Sequence, residues 1–182
     1  MTTATAVIIV IVAVLVVLTV GFALYRKERS RKLRAHFGPE YDRTLRQYGS
    51  ETKAEEALAS RQKRMEKIQI RPLTNHQRDQ FADQWHGIQS RFVDDPSESI
   101  RDADRLVMDV MAARGYPMAD FDRRAEDISV DHPHVVSNYR KAHEIALTHK
   151  NGEASTEDLR EALVCYRRLF DELLEAQTAP RR

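Results

Sequence analysis

The sequence predicts an all-α protein: a single N-terminal transmembrane helix, juxtamembrane helices and a soluble helical bundle of about five helices. Three observations carry this expectation. The chain opens on a long uncharged apolar run. Its remainder repeats apolar residues at spacings of three and four, punctuated by helix caps. Nowhere does sustained period-two alternation bounded by hairpin turns appear.

The first element is "MTTATAVIIVIVAVLVVLTVGFALY", in which no charged side chain precedes Arg26. As a helix, Ala6 to Leu24 extends about 28 Å, close to the hydrocarbon thickness of a bilayer. The Val and Ile content would suit a strand in water, but in lipid a lone strand leaves its backbone unpaired, so the helix wins. A cleaved signal peptide is the rival reading. It needs a basic segment before a shorter apolar run and small residues at the cut; nothing basic precedes this run, so the expectation is an uncleaved anchor through residues 4–25. Thr19 and Ala23 form one small-xxx-small pair that could pack two anchors together.

Orientation follows from "RKERSRKLR". Arg26, Lys27, Arg29, Arg31, Lys32 and Arg34 follow the span and are opposed only by Glu28. Such an excess marks a cytoplasmic flank. The N-terminus is therefore expected outside, and everything after Tyr25 in the cytoplasm. Residues Arg26–Arg34 could also rest on anionic lipid headgroups.

In the flank and beyond, Leu33, Phe37, Tyr41, Leu45 and Tyr48 form a helical stripe, with Gly38 and Pro39 marking a break and Gly49 a stop. Ser50 can cap a second, highly charged helix whose stripe is Ala54, Leu58, Arg61, Met65 and Ile68. Pro72 then pushes the residue before it out of the helical region. This divides the chain into an anchor (1–25), a basic juxtamembrane segment with stalk helices (26–71), a helical bundle (72–176) and a frayed tail (177–182).

The bundle begins with a capping box of Thr74 and Gln77, followed by Phe81, Trp85, Ile88 and Phe92. Asp95 caps the next helix with Pro96 at its first position, and Ile100, Ala103, Val107, Val110 and Met111 face inward until Gly115. A shorter helix bears Phe121, Ala125 and Ile128. Asp131 and Pro133 read as the cap and first turn of a helix with Val135, Tyr139, Ala142 and Ala146 on its buried stripe. Ser155 and Asp158 cap a last helix carrying Leu159, Leu163, Tyr166, Phe170 and Leu173; the final pair reads as an antiparallel hairpin.

Composition excludes some functions. Twenty-nine Lys and Arg against 28 Asp and Glu leave a net charge of +1, which argues against a nucleic-acid partner. The one cysteine, Cys165, excludes an intrachain disulfide and reads as a small buried hydrophobe. The six glycines form no phosphate-cradling loop. Ser90 and Ser137 lack the context of a strained nucleophile turn. Arg78, Arg91 and Arg105 could pair with carboxylates or phosphates.

The segment "SVDHPHVVSNYRKAHE" is the place that most resembles an active site, through Asp131, His132, His134 and Tyr139. Histidines two apart suit a metal in an extended segment but point apart on a helix. "HEIALTH" lacks the second histidine four residues on that a zinc-peptidase signature requires, since position 147 is Leu. No catalytic, cofactor or metal-binding set is therefore assigned. The leading expectation is a membrane-anchored, non-enzymatic interaction module with an unidentified protein partner. The alternative is a small membrane-bound enzyme or metal-binding protein using Asp131, His132, His134 and Tyr139.

The ordered string "RFVDDP", "ADRLVMDVMAARGYP", "DFDRR", "ISVDHP", "NYRKAH" and "GEASTEDLREALVCYRRLFDELLE" resembles an uncharacterised family of bacterial membrane-anchored or secreted proteins with one N-terminal span and a helical domain. The resemblance covers about residues 33 to 175. It implies bacterial origin and envelope association and assigns no site residues; the span and its basic flank make the expected location the plasma membrane. Where it suggests secretion, the basic flank argues for the cytoplasmic side.

Overall fold

The computed structural model describes backbone from Thr3 to Glu175 and side chains from Ile11 to Glu175. The expected frayed tail, and the side chains of residues 4–10 within the expected span, lie outside the described residues. Among those described there are eight helices and no strand, so the protein is all-α. No helix among them is both long and apolar enough to cross a membrane.

Helix α1 (Thr3–Phe37) is continuous from the apolar run through the basic flank. From Ile11 to Tyr25 its large apolar side chains are exposed; Leu33 and Phe37 are buried. It ends at Gly38, whose φ of +47° turns the chain; a Cβ at this position would stand 3.4 Å from His134 Cε1, in ordinary van der Waals contact. Pro39 restarts α2 (Pro39–Tyr48), which Gly49 terminates in the left-handed conformation expected of a helix-ending glycine. On the predicted stripe Tyr41 is buried and Leu45 half-buried, but Tyr48 is exposed.

Helix α3 (Glu51–Met65) buries Ala54, Leu58, Arg61 and Met65. Ser50 precedes it without making a side-chain cap. Ser30 on α1 donates to Glu55 on α3, and Arg26 Nη2 donates to Thr52 Oγ1 at 3.0 Å. Both partners advance together, so α1 and α3 run parallel, with α2 returning between them. Leu33, Phe37, Tyr41, Leu58 and Met65 belong to the same buried cluster as the apolar residues of the helices that follow. The segment expected as a stalk thus packs its apolar stripe into the common core.

Helix α4 (Asn75–Arg91) starts with the complete Thr74–Gln77 capping box. Trp85 and Ile88 are buried, and Trp85 stacks on Phe170 with centroids 4.8 Å apart. Asp95 accepts from the Glu98 amide to cap α5 (Pro96–Arg114), which closes on Gly115 at φ +90°. Helix α6 (Phe121–Asp131) is capped by Asp120, and α7 (Val136–Lys150) follows a short turn. Ser155 and Asp158 bond reciprocally ahead of α8 (Thr156–Glu175).

The pairs Asn138–Arg168 and Lys141–Glu161 run in opposite order, which makes α7 and α8 the expected antiparallel hairpin. Arg167 on α8 reaches Gln89 on α4 in the same antiparallel sense as Trp85–Phe170. On α8, Leu159, Leu163, Tyr166, Phe170 and Leu173 are all buried, at about 1.5–3 kcal/mol for each side chain removed from water. They form the centre against which α5 and α7 pack.

Candidate functional site

One local expectation needs correction. Asp131 does not cap a helix starting at Pro133. It is the last residue of α6, whose ladder ends as the His132 amide donates to the Ile128 carbonyl at 2.8 Å. Residues 133–135 form the turn, and α7 starts at Val136 without a side-chain cap. The apolar stripe of α6 simply continues further than Ile128, through Val130, so the helix outruns the proline signal.

The four residues singled out then diverge. Asp131 accepts a hydrogen bond from the Tyr116 hydroxyl at 2.9 Å. His132 is buried and its Nδ1 donates to Glu172 on α8 at 3.0 Å. His134 lies exposed against Gly38. Tyr139 is fully buried, with its ring against Phe121 and its hydroxyl accepting from Arg124 Nε at 3.3 Å. Each side chain is thus occupied by a different neighbour. Among the described residues no group of three or more His, Cys, Asp or Glu is placed to hold a metal ion.

Two polar constellations were not singled out from sequence. The first docks the start of the chain onto the rest. Glu40 Oε1, in the first turn of α2, receives Arg61 Nη1 and Arg140 Nη2, each at 2.9 Å. Arg61 also reaches Glu126 at 3.4 Å, and Arg64 reaches Asp127 at 2.6 Å. The side chains of Glu40, Arg61 and Asp127 are almost completely buried. Burial lowers the Arg140 pKa, and the Glu40 carboxylate opposes that shift. His36 Nε2 donates to the Val130 carbonyl at 2.9 Å beside this network. Helices α2, α3 and α7 thereby meet at one carboxylate, and Arg61 and Arg64 extend the network to α6. An apolar-periodicity search passes over Glu40, though its place after Pro39 in a helix's first turn, where negative charge is favoured, was a readable signal.

The second constellation is internal. The Tyr166 hydroxyl and Oδ1 of Asp104 are both buried without completing a hydrogen bond of ordinary geometry. Burial, reinforced by the Asp104 charge, pushes the Tyr166 pKa well above the usual tyrosine value. Burial likewise raises Tyr139 and lowers His143, whose ring stacks on Phe121. Uncharged forms are therefore favoured for all three, which suits a core layer between α5, α7 and α8 better than proton transfer to a solvent-borne substrate.

Cys165 is buried and its thiol pKa is raised by burial, the opposite of an activated thiolate. Ser90 donates back to the His86 and Gly87 carbonyls of its own helix. Arg91 pairs with Asp102 and Arg105 with the same carboxylate, along an open groove between α4 and α5 floored by Ile88 and Leu106. Compared with protein families, curated proteins and solved structures, the chain shows no match.

Proposed function

We propose that the chain is a single-pass protein of the bacterial plasma membrane. The apolar part of α1, residues 4–25, lies in the bilayer with the N-terminus outside, and the helical domain serves as a cytoplasmic, non-enzymatic interaction module. One observation carries the reading. From Ile11 to Tyr25 the large apolar side chains of α1 stand bare, Val17 at 70% and Phe22 at 64% exposure, while the same helix ends in the buried Leu33 and Phe37. A rod of this kind exceeds the apolar patches that soluble monomers tolerate, and hydrocarbon is the solvent that removes its cost.

Thr19, the one hydroxyl in the described part of the run before Tyr25, donates to the Leu15 and Val16 carbonyls of its own helix, as lipid requires. The described side chains of the run cover 15 residues, Ile11 to Tyr25, or about 22 Å of helix; the sequence continues it with uncharged residues to Met1. The basic cluster after it supports the orientation.

The interaction reading is supported by how the polar groups are used. The ion network, His36, His132 and the side-chain helix caps find partners inside the fold, while the domain's outer faces carry charged residues and isolated apolar ones such as Val93, Met118 and Leu147.

The test has two arms on the full chain in bacterial cells. Alkaline carbonate washing should leave the protein in the membrane pellet, and removal of residues 1–25 should release it; release of the intact chain overturns the anchor. Photo-crosslinkers at positions 93, 118 and 147 should give an adduct of defined mass with a cytoplasmic protein. Absence of adducts at all three removes the interaction module.

A further inference from the structure

Given that α1 is anchored as proposed above, the geometry points to a second contact with the bilayer. We infer that the α2–α3 turn, Tyr48–Ser50 with Arg46 and Lys53 beside it, sits on the cytoplasmic leaflet against anionic phospholipid headgroups.

The register of two parallel helices fixes the height of this turn. Ser30 on α1 bonds Glu55 on α3, so these residues lie at one level along the common axis. Moving five residues N-terminal on both helices, about 7.5 Å at 1.5 Å per residue, pairs Tyr25 with Ser50. The intermediate bond from Arg26 to Thr52, at 3.0 Å, holds this register to within one residue. Helix α2 supplies the return. Its ten residues cover about 15 Å, and the Arg34–Asp42 pair at 3.8 Å shows that it descends beside α1. Tyr25 is the last uncharged residue of the apolar run. The turn therefore meets the plane where hydrocarbon gives way to headgroups.

The chemistry at that level fits the plane. Tyr25 and Tyr48 are both exposed, at 66% and 42%, and exposed tyrosines favour the headgroup region, with the ring in the apolar layer and the hydroxyl in the wet one. Arg26, Lys27 and Arg29 on α1 with Arg46 and Lys53 around the turn face two carboxylates at this height, Glu28 and Glu51. Glu28 is taken up by Arg31 and Lys32, and Glu51 accepts from the Tyr41 hydroxyl. The surplus is positive, which anionic headgroups attract at about 1 kcal/mol per basic residue. The turn also explains why Tyr48 leaves the buried stripe that its spacing joins. Two contacts, the rod and the turn, would fix the domain's rotation about α1 as well as its height.

Nitroxide labels on single cysteines in a Cys165→Ala background test this, with the full chain in vesicles of phosphatidylcholine with and without phosphatidylglycerol. The sites are Val17→Cys in the rod, Tyr48→Cys in the turn and Ala35→Cys, exposed on α1 about 15 Å beyond Tyr25. Trp85 emission verifies folding of each. Relaxation by oxygen relative to a water-soluble nickel chelate should rank 17 highest, 48 intermediate and 35 lowest. The value at 48 should fall towards that at 35 when phosphatidylglycerol is omitted or when Arg46→Glu and Lys53→Glu are combined. A label at 48 as aqueous as that at 35, with 17 in lipid, overturns the turn contact and leaves the anchor standing. An intermediate value at 48 that ignores both lipid charge and the double substitution overturns its anionic-headgroup chemistry. A label at 17 that is itself aqueous overturns the anchor, and this inference with it.

Discussion

Replacing Glu40 by alanine tests whether the start of the chain is clamped to the bundle by charge. Glu40 Oε1 holds Arg61 and Arg140 at 2.9 Å each, and the side chains of Glu40 and Arg61 are 2% and 3% exposed. At an effective dielectric near 20 each contact is worth roughly 6 kcal/mol of Coulomb attraction, most of which desolvation of the three ions cancels. The alanine variant keeps the desolvation of the two arginines and loses the attraction. Arg61 retains Glu126 at 3.4 Å, whereas Arg140 keeps only the exposed Asp122 at 4.0 Å. The expected loss is about 3–5 kcal/mol, the usual cost of breaking a buried pair. Urea unfolding of the full chain in lipid nanodiscs measures it, followed by emission of the single tryptophan, Trp85. Replacing all three residues together (Glu40→Met, Arg61→Leu, Arg140→Met) should recover most of the loss, because no ion is then left unpaired. A Glu40→Ala variant within about 1 kcal/mol of the parent would refute the reasoning, since it falls outside the cost expected for a buried ion.

Gly115→Ala should cost about 1–3 kcal/mol in the same assay, because φ is +90° and a Cβ would lie 2.9 Å from the Gln69 carbonyl oxygen. Tyr166 keeps its proton in the folded state above the usual pKa of 10.0. Its contribution is therefore complete below pH 10 and is lost as pH rises further; Tyr166→Phe should make the alkaline decline shallower by about 1.4 kcal/mol per pH unit, read from unfolding midpoints. Cys165, buried with a raised pKa, should resist maleimide in the native protein and react at once in urea; rapid native labelling would contradict its packing.

The helical class and most boundaries were legible because they rest on local chemistry. Thr74–Gln77, Asp95–Pro96 and Ser155–Asp158 each satisfy helix-end amides within four residues of sequence, and each forms as read. The α6–α7 turn was misread for the same reason. Asp131 and Pro133 match a helix start, but the tertiary contacts of Asp131 with Tyr116 and of His132 with Glu172 hold them at a helix end. The depth of α3 was also hidden. Its charge density suggests a stalk or partly exposed arm, yet Arg61 is buried because Glu40, 21 residues earlier, and Glu126, 65 residues later, meet it. Ion pairs across such separations leave no periodic trace. The candidate site was legible as residue types and illegible as geometry, since whether Asp131, His132, His134 and Tyr139 converge depends on four different neighbours.

The most direct test of the account is the side of the membrane on which the domain lies. Alkaline phosphatase, active only when exported, and a fluorescent protein that matures only in the cytoplasm are fused in turn after Arg182 of the full chain in bacterial cells. The account predicts fluorescence at the membrane and no phosphatase activity. Phosphatase activity with a dark fluorescent fusion would contradict it.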